Sequence, residues 1–200
     1  MTDDWYRNKV WNKKVEDKFF TKLDRARSQR DQYLVIQALT LSRIEPNITL
    51  NLTKLYFETK KSDFENVRAL LANVNAFKTL GLTNEVSKNY QAILEREKEF
   101  PKHKTTSNVD YPYWVATQEI LKEYQNALDV LTNDNEQILF PIDRFKRYSA
   151  LAIINNDESY ARKALDVAEV KKSGFRYHQN VGLVGKEHNG TIKKLIKIKT

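Results

Sequence analysis

Apolar residues recur three or four positions apart along most of the chain, which is the spacing of an amphipathic α-helix. The pattern is clearest in residues 64–80, where the apolar positions are Phe64, Val67, Leu70, Leu71, Val74, Phe77 and Leu80. Similar stripes run through residues 12–29, 31–43, 47–60, 83–99, 111–122, 124–132, 142–155 and 157–172. The pattern predicts an all-α protein with about eight helices.

Residues that break helices separate these stripes. Pro46 interrupts the second stripe, Gly81 closes the stripe at 64–80, and Asn156 lies between the last two. Linkers this short force neighbouring helices to run antiparallel, and helices this short must bury their apolar faces on one another. The long polar gap at 101–110 predicts either a surface loop or a functional insertion.

An internal repeat relates the two C-terminal helix pairs. The tetrapeptide Ala-Leu-Asp-Val occurs at 127–130 and again at 164–167, 37 positions later. An offset of 34 residues, one helical turn shorter, matches both helices of the pair. It aligns Ala127 with Ala161, Leu131 with Leu165, Trp114 with Tyr148 and Tyr111 with Phe145.

A helical hairpin of 34 residues, with aromatics in its first helix and a small residue in its second, resembles the tetratricopeptide repeat. The middle of the chain follows a loose version of that pattern, at Leu70, Val74, Phe77, Gly81, Val86, Tyr90 and Ile93. The resemblance implies stacked antiparallel hairpins, an α-solenoid, over residues 30–172. With an N-terminal helix in 1–29, this gives one domain over 1–172. A non-repetitive helical bundle is the alternative.

The resemblance also implies a function. Tetratricopeptide arrays hold a peptide or a partner helix in a groove lined by the first helices, which predicts a non-enzymatic scaffold or adaptor for an unidentified protein. The polar first-helix residues that would line the groove are Gln37, Asn73, Lys78, Gln118, Arg144 and Arg147. Their amide and cationic groups suit a peptide backbone or a terminal carboxylate. Solvated surface positions are the alternative interpretation.

The net charge of +8 is uneven along the chain. Residues 1–30 carry +4, residues 31–170 carry −3 and residues 171–200 carry +7. The segment 173–200 is therefore a basic, glycine-containing extension, whose cations are Arg176, Lys186, Lys193, Lys194, Lys197 and Lys199. Such a patch predicts nucleic-acid binding through both basic ends as the alternative function.

The local structure expected in this extension is irregular or a short hairpin. His-Asn-Gly at 188–190 suits a two-residue hairpin turn, and the lysines after it suit an edge strand protected by charge. Gly174, Phe175, Tyr177 and Leu183 are the residues expected to anchor the segment by burial.

Catalytic and metal-binding patterns are absent from the sequence. With no cysteine, thiolate chemistry is excluded, and none of the three histidines has a second ligand at helical spacing. We therefore expect no metal, no cofactor and no enzymatic activity. A weaker alternative is an enzyme site built from the loop 101–112 and the C-terminal segment, with His103 or His178 beside Arg176.

The first residues begin acidic and lack an unbroken apolar run, so we expect no signal peptide, and no apolar run in the sequence is long enough to cross a bilayer. This predicts a soluble, cytoplasmic protein. The sequence leaves its oligomeric state open.

Overall fold

The computed structural model of the chain describes residues 4–132 and 139–199, without the side chain of His103. The chain folds as two compact units, Met1–His103 and Lys104–Thr200. The described residues contain ten α-helices and no strand, so the all-α prediction is confirmed, with more helices than the eight or so expected. The sequence predicted a different division, at 172–173, from a change in composition.

The first unit contains five helices. They are α1 (Lys13–Leu23), α2 (Arg30–Leu41), α3 (Pro46–Thr59), α4 (Asn66–Thr79) and α5 (Thr83–Glu99), followed by a 3-10 turn at Pro101–His103. Each of α2, α3 and α4 packs on the next helix, and α2 also packs on α4. The core of the unit is built from buried side chains of α1 to α4, among them Phe19, Leu34, Leu41, Tyr56 and Ala72.

Local sequence explains where several helices begin and end. The side chain of Asn12 accepts a hydrogen bond from the Val15 backbone at 3.0 Å and so caps the start of α1. Between α4 and α5, Gly81 closes α4 with a φ of +70°, a conformation that glycine adopts without a steric penalty. The tight turn that follows lets α5 start at Thr83.

The described residues of the second unit also form five α-helices. They are α6 (Ser107–Thr117), α7 (Tyr124–Thr132), α8 (Pro141–Asn155), α9 (Glu158–Ala168) and α10 (Asn189–Lys199), with 3-10 turns at Leu121–Glu123 and Lys186–His188. The central helix is α8, which packs on α6, α7, α9 and α10. Helix α6 also packs on α7, and α9 packs on α10. The polar gap predicted at 101–110 is shorter than expected, because α6 begins at Ser107.

The predicted C-terminal hairpin is wrong. Residues 189–199 form α10, because Ile192, Leu195 and Ile198 recur at helical spacing and pack against residues of α8 and α9. The predicted anchors Phe175 and Tyr177 are exposed instead, and Gly174 is exposed as well. Of the four expected anchors, only Leu183 is partly buried.

Candidate functional site

Helix α10 has one buried face and one basic face. Leu195 is completely buried in a cluster with Phe145, Ala152, Ala161 and Ala164, which belong to α8 and α9. The opposite face is exposed and carries Lys193, Ile196, Lys197 and Lys199. The helix is therefore part of the core of its unit and at the same time displays positive charge.

A polar contact holds the start of α10 on α6. The hydroxyl of Tyr113 lies 2.8 Å from Nδ1 of His188 and 2.7 Å from Oγ1 of Thr191. The His188 ring also packs edge-on against Tyr113 and lies 5.4 Å from the ring of Phe145, between centroids. We call Tyr113, His188 and Thr191 the polar anchor. Nothing in the sequence pattern signals it, because Tyr113 is 75 positions from His188.

Burial changes the proton affinities of the polar anchor. Desolvation lowers the pKa of His188, with Lys146 acting in the same sense and Glu187 and Asp110 opposing it. Desolvation also raises the pKa of Tyr113, so its hydroxyl stays protonated near neutral pH. The anchor is therefore a contact between neutral groups under ordinary conditions.

Charged groups surround the anchor on the neighbouring helices. Lys146 of α8 donates to the carboxylate of Asp110 in α6 at 2.5 Å, and Thr106 donates to the same carboxylate at 2.6 Å. Burial raises the pKa of Asp143, which Lys146 partly offsets. The contact between Lys146 and Asp110 joins α8 to α6, and both oxygens of the Asp110 carboxylate accept a hydrogen bond.

Lys194 of the predicted patch is held at the end of α6. Its ammonium donates to the backbone carbonyl of Thr117 at 3.2 Å and to the carboxylate of Glu119 at 2.6 Å. Thr117 is the last residue of α6, where carbonyls lack helical partners and a cation is stabilising. The same contact lowers the pKa of Glu119.

The other cations of the predicted patch face solvent. Arg176, Lys186, Lys193, Lys197 and Lys199 are exposed. We call these five residues the C-terminal basic surface. For Arg176, Lys186, Lys193 and Lys199, the structure shows no ion pair with any carboxylate of residues 4–132 or 139–199.

Aromatic rings lie beside part of this charge. Tyr177 is 82 % exposed, with the Arg176 guanidinium 5.4 Å from its ring centroid. Phe175 stacks on Phe140 with 5.1 Å between centroids and remains 42 % exposed. The loop between α9 and α10, which carries Phe175 and Tyr177, is bonded to the start of α8. There the backbone N–H of Ile142 donates to the carbonyl of Gly182 at 2.8 Å.

The three groove residues predicted in the first unit are engaged within it. Gln37 is completely buried, where its amide accepts from the Asn8 backbone at 2.9 Å and donates to the Asn8 carbonyl at 2.7 Å. Its expected place in an open groove is therefore wrong, because the N-terminal segment of the chain covers it. Asn73 accepts from Thr53 at 2.6 Å, and Lys78 donates to the Tyr90 hydroxyl at 2.8 Å while remaining exposed.

The three groove residues predicted in the second unit differ in exposure. Gln118 is exposed at the end of α6. Arg147 is half-buried and donates to the carbonyl of Leu131 at the end of α7, at 2.7 Å. Arg144 is also half-buried, and its Nε has no hydrogen-bond partner among the described residues. Of the six, only Gln118 and Lys78 present an exposed side chain.

The residues of the weaker enzyme interpretation lie at the surface or outside the described part of the chain. His178 and Arg176 are both exposed, and the side chain of His103 lies outside the described residues. Over residues 4–132 and 139–199, no three His, Asp or Glu side chains are grouped so that they could hold a metal ion. None of the described helices has the length and apolarity needed to cross a bilayer.

Comparison with known proteins gives one partial similarity. The chain is 26 % identical over 129 residues to reticulocyte-binding protein homolog 1 of Plasmodium falciparum (isolate 3D7). The match covers 62 % of this chain but only 4 % of that protein, and it establishes no family. No protein-family model matches the chain, and no solved structure matches it.

Proposed function

We propose that the chain is a non-enzymatic binding module of stacked, tetratricopeptide-like helical hairpins. Its first helices hold a peptide or a helix of a protein partner. One observation carries this proposal. In each unit a first helix packs on the first helix of the next hairpin, α2 on α4 and α6 on α8. Hairpins that stack in register produce this contact, and it aligns the first helices along one surface of each unit.

The order of the remaining contacts supports the same arrangement. The pairs α2–α3, α4–α5, α6–α7 and α8–α9 are hairpins with short connections, and α3 also packs on α4. Helix α10 packs on both α8 and α9, which is where the first helix of a following hairpin would lie. In this arrangement α10 closes the stack.

Burial at equivalent repeat positions gives further support. Ala127 and Ala161, aligned by the 34-residue offset, are both completely buried, and so is Phe145, while its counterpart Tyr111 is 1 % exposed. Small residues in second helices allow the close approach of helix axes that the repeat requires. The two hairpins therefore use matching positions for packing.

Site-specific photo-crosslinking tests the proposed surface. A photoreactive amino acid is placed at an exposed position of a first helix, either Gln32 in α2 or Gln118, the C-cap residue of α6. The matched control places it at Gln91, an exposed glutamine of the second helix α5. Crosslinking is carried out in the native cells, and the adduct is identified by mass spectrometry.

We expect one protein to crosslink from Gln32 or Gln118 and not from Gln91. The purified partner should then bind the unmodified chain. Equal labelling from all three positions, or adducts containing only nucleic acid, would contradict the proposal.

Nucleic-acid binding is the second candidate, and the C-terminal basic surface favours it. Four of its cations, Arg176, Lys186, Lys193 and Lys199, are exposed and form no ion pair with a carboxylate of the described residues. Exposed cations attract phosphates, and because binding releases counterions from the nucleic acid, the affinity falls steeply as the salt concentration rises. The test compares the chain with a variant in which Arg176, Lys186, Lys193 and Lys199 are all changed to Gln. Deleting the segment is unsuitable, because the deletion would also remove Leu195 from the core.

For this candidate, the variant should bind a mixed-sequence oligonucleotide more weakly and with a shallower salt dependence. Binding that is independent of salt, or equal in both proteins, rules it out.

A further inference from the structure

A second surface feature lies in the first unit, between the N-terminal segment and the start of α2. Residues of the N-terminal segment, the α1–α2 connection and the first turn of α2 enclose an open cleft of about 490 Å³. Its walls include Trp5, Lys22, Arg25, Arg27, Gln29 and Tyr33. We call it the N-terminal cleft. Its volume is within the range of about 300–1,000 Å³ that small-molecule sites occupy.

One wall of the cleft is aromatic and rigid. The rings of Trp5 and Tyr33 lie 5.0 Å apart between centroids, and Tyr6 stacks on Tyr33 at 4.5 Å. Trp5 also packs on Phe19, which is completely buried in the core of the unit. Tyr33 donates to the side chain of Gln29 at 2.6 Å, which fixes its hydroxyl at the cleft. Trp5 and Tyr33 are both half-buried, and the Lys22 ammonium lies 5.8 Å from the centroid of the Trp5 ring. A flat ligand ring can pack on the part of the two rings that remains exposed.

All charged residues of the lining are cationic. Lys22, Arg25 and Arg27 contribute three positive charges, and no carboxylate is among the lining residues. Arg25 and Arg27 are exposed, and neither forms an ion pair with a carboxylate in the part of the chain that the structure describes. Guanidinium groups bind phosphate oxygens through two parallel hydrogen bonds.

We infer that the N-terminal cleft binds a nucleotide, with the base against Trp5 and Tyr33 and the phosphate on Arg25 and Arg27. A nucleotide carries both an aromatic ring and an anion, so one molecule can contact the aromatic wall and the cationic wall at the same time. The bound nucleotide is either a free mononucleotide or one residue of a single-stranded nucleic acid. The inference is independent of the proposed partner surface, because a failure here leaves the crosslinking result from Gln118 unaffected.

Isothermal titration calorimetry of the full chain provides the test, with AMP, adenosine, inorganic phosphate and an oligoadenylate as separate ligands. We expect AMP to bind about tenfold or more tightly than either adenosine or phosphate, because only AMP meets both walls. The double variant Arg25→Gln/Arg27→Gln should weaken AMP binding by about tenfold or more. Arg43→Gln is the matched control, since Arg43 is exposed elsewhere in the same unit.

The ligands separate the two sources. AMP binding without oligoadenylate binding assigns the cleft to a free nucleotide. Binding of both, weakened together in the double variant, assigns it to a single strand. No AMP binding, AMP affinity equal to that of phosphate, or affinity unchanged in the double variant would each overturn the inference. Circular dichroism of the double variant checks that both exposed substitutions leave the fold intact.

Discussion

The ammonium of Lys194 lies 2.6 Å from the carboxylate of Glu119, and this contact joins the last helix of the chain to the end of α6. Glu119 adopts a left-handed backbone conformation, with a φ of 54°, directly after the C-cap of α6. The same ammonium reaches the carbonyl of Thr117. A lysine that the sequence assigned to a binding patch thus has a structural partner.

Replacing this lysine should weaken the second unit slightly. We expect Lys194→Met to lower the free energy of unfolding by about 0.2–1 kcal/mol, the usual range for exposed pairs. The Lys194 side chain is 40 % exposed, so solvent screens the interaction. Lys193→Met, one position away on the exposed face, should leave the free energy of unfolding unchanged. Urea denaturation of the three proteins measures the difference, and equal losses in both variants would show that Lys194 has no special role.

The packing of α10 predicts a larger effect at its buried face. Leu195→Ala should cost about 2–5 kcal/mol, because it opens a cavity in a completely buried cluster. Ile196→Ala changes a residue that is 52 % exposed and should cost about 0.5 kcal/mol or less. Thermal denaturation followed by circular dichroism compares the two. Similar losses of stability in Leu195→Ala and Ile196→Ala would favour the C-terminal β-hairpin that the sequence predicted over helix α10.

His188 makes the stability of the second unit depend on pH. Its unfolded-state pKa is near 6.5, and burial holds the folded-state pKa lower. The unfolded state therefore takes up the proton first, so stability falls as pH drops from about 6.5 through the folded-state pKa. Stability is independent of this group at higher pH.

The variant His188→Asn isolates that contribution. Asp143 acts in the opposite sense, since its raised pKa adds stability as pH falls through its folded-state value toward 3.8. Subtracting the urea-denaturation profile of the variant from that of the parent chain removes the effect of Asp143. We expect a residual loss of stability in the parent below pH 6.5. If the stability of the parent chain and of His188→Asn depended on pH in the same way, the protonation of His188 would not be coupled to folding.

Gln37 provides a prediction for the first unit. Its amide is completely buried and bonded to Asn8, so Gln37→Ala leaves partly buried backbone groups of Asn8 without partners. Such unpaired groups cost about 1–3 kcal/mol. Gln32→Ala, at an exposed position of the same helix, is the control and should have little effect. A neutral Gln37→Ala would indicate that Gln37 is solvent-accessible, as the groove interpretation required.

The sequence predicted the helical elements well, because their signals are local. Gly81 marked the end of α4, and the turn at Asn156 precedes Asp157, whose carboxylate caps α9 by accepting from the backbone of Ser159 at 2.7 Å. Apolar periodicity alone located the stripes of α4, α5 and α8. Such features depend on residues within one turn of each other.

Features that depend on distant partners were not predictable in this way. Gln37 has the same local context whether it faces solvent or the backbone of Asn8. The three-residue run His188-Asn189-Gly190 suits a hairpin turn as well as the start of a helix, and packing against α6, α8 and α9 decides between them. Burial of Leu195 against these helices stabilises the helical alternative.

The arrangement of first helices against one another is the claim on which the proposed binding surface depends. Ala116 of α6, Leu131 of α7 and Ala150 of α8 form one buried cluster in the second unit. The most direct measurement is NOE spectroscopy on protein labelled at alanine and leucine methyl groups. We expect cross-peaks within this cluster that connect α6 with both α7 and α8. Their absence in a folded, assigned protein would contradict the stacked-hairpin account.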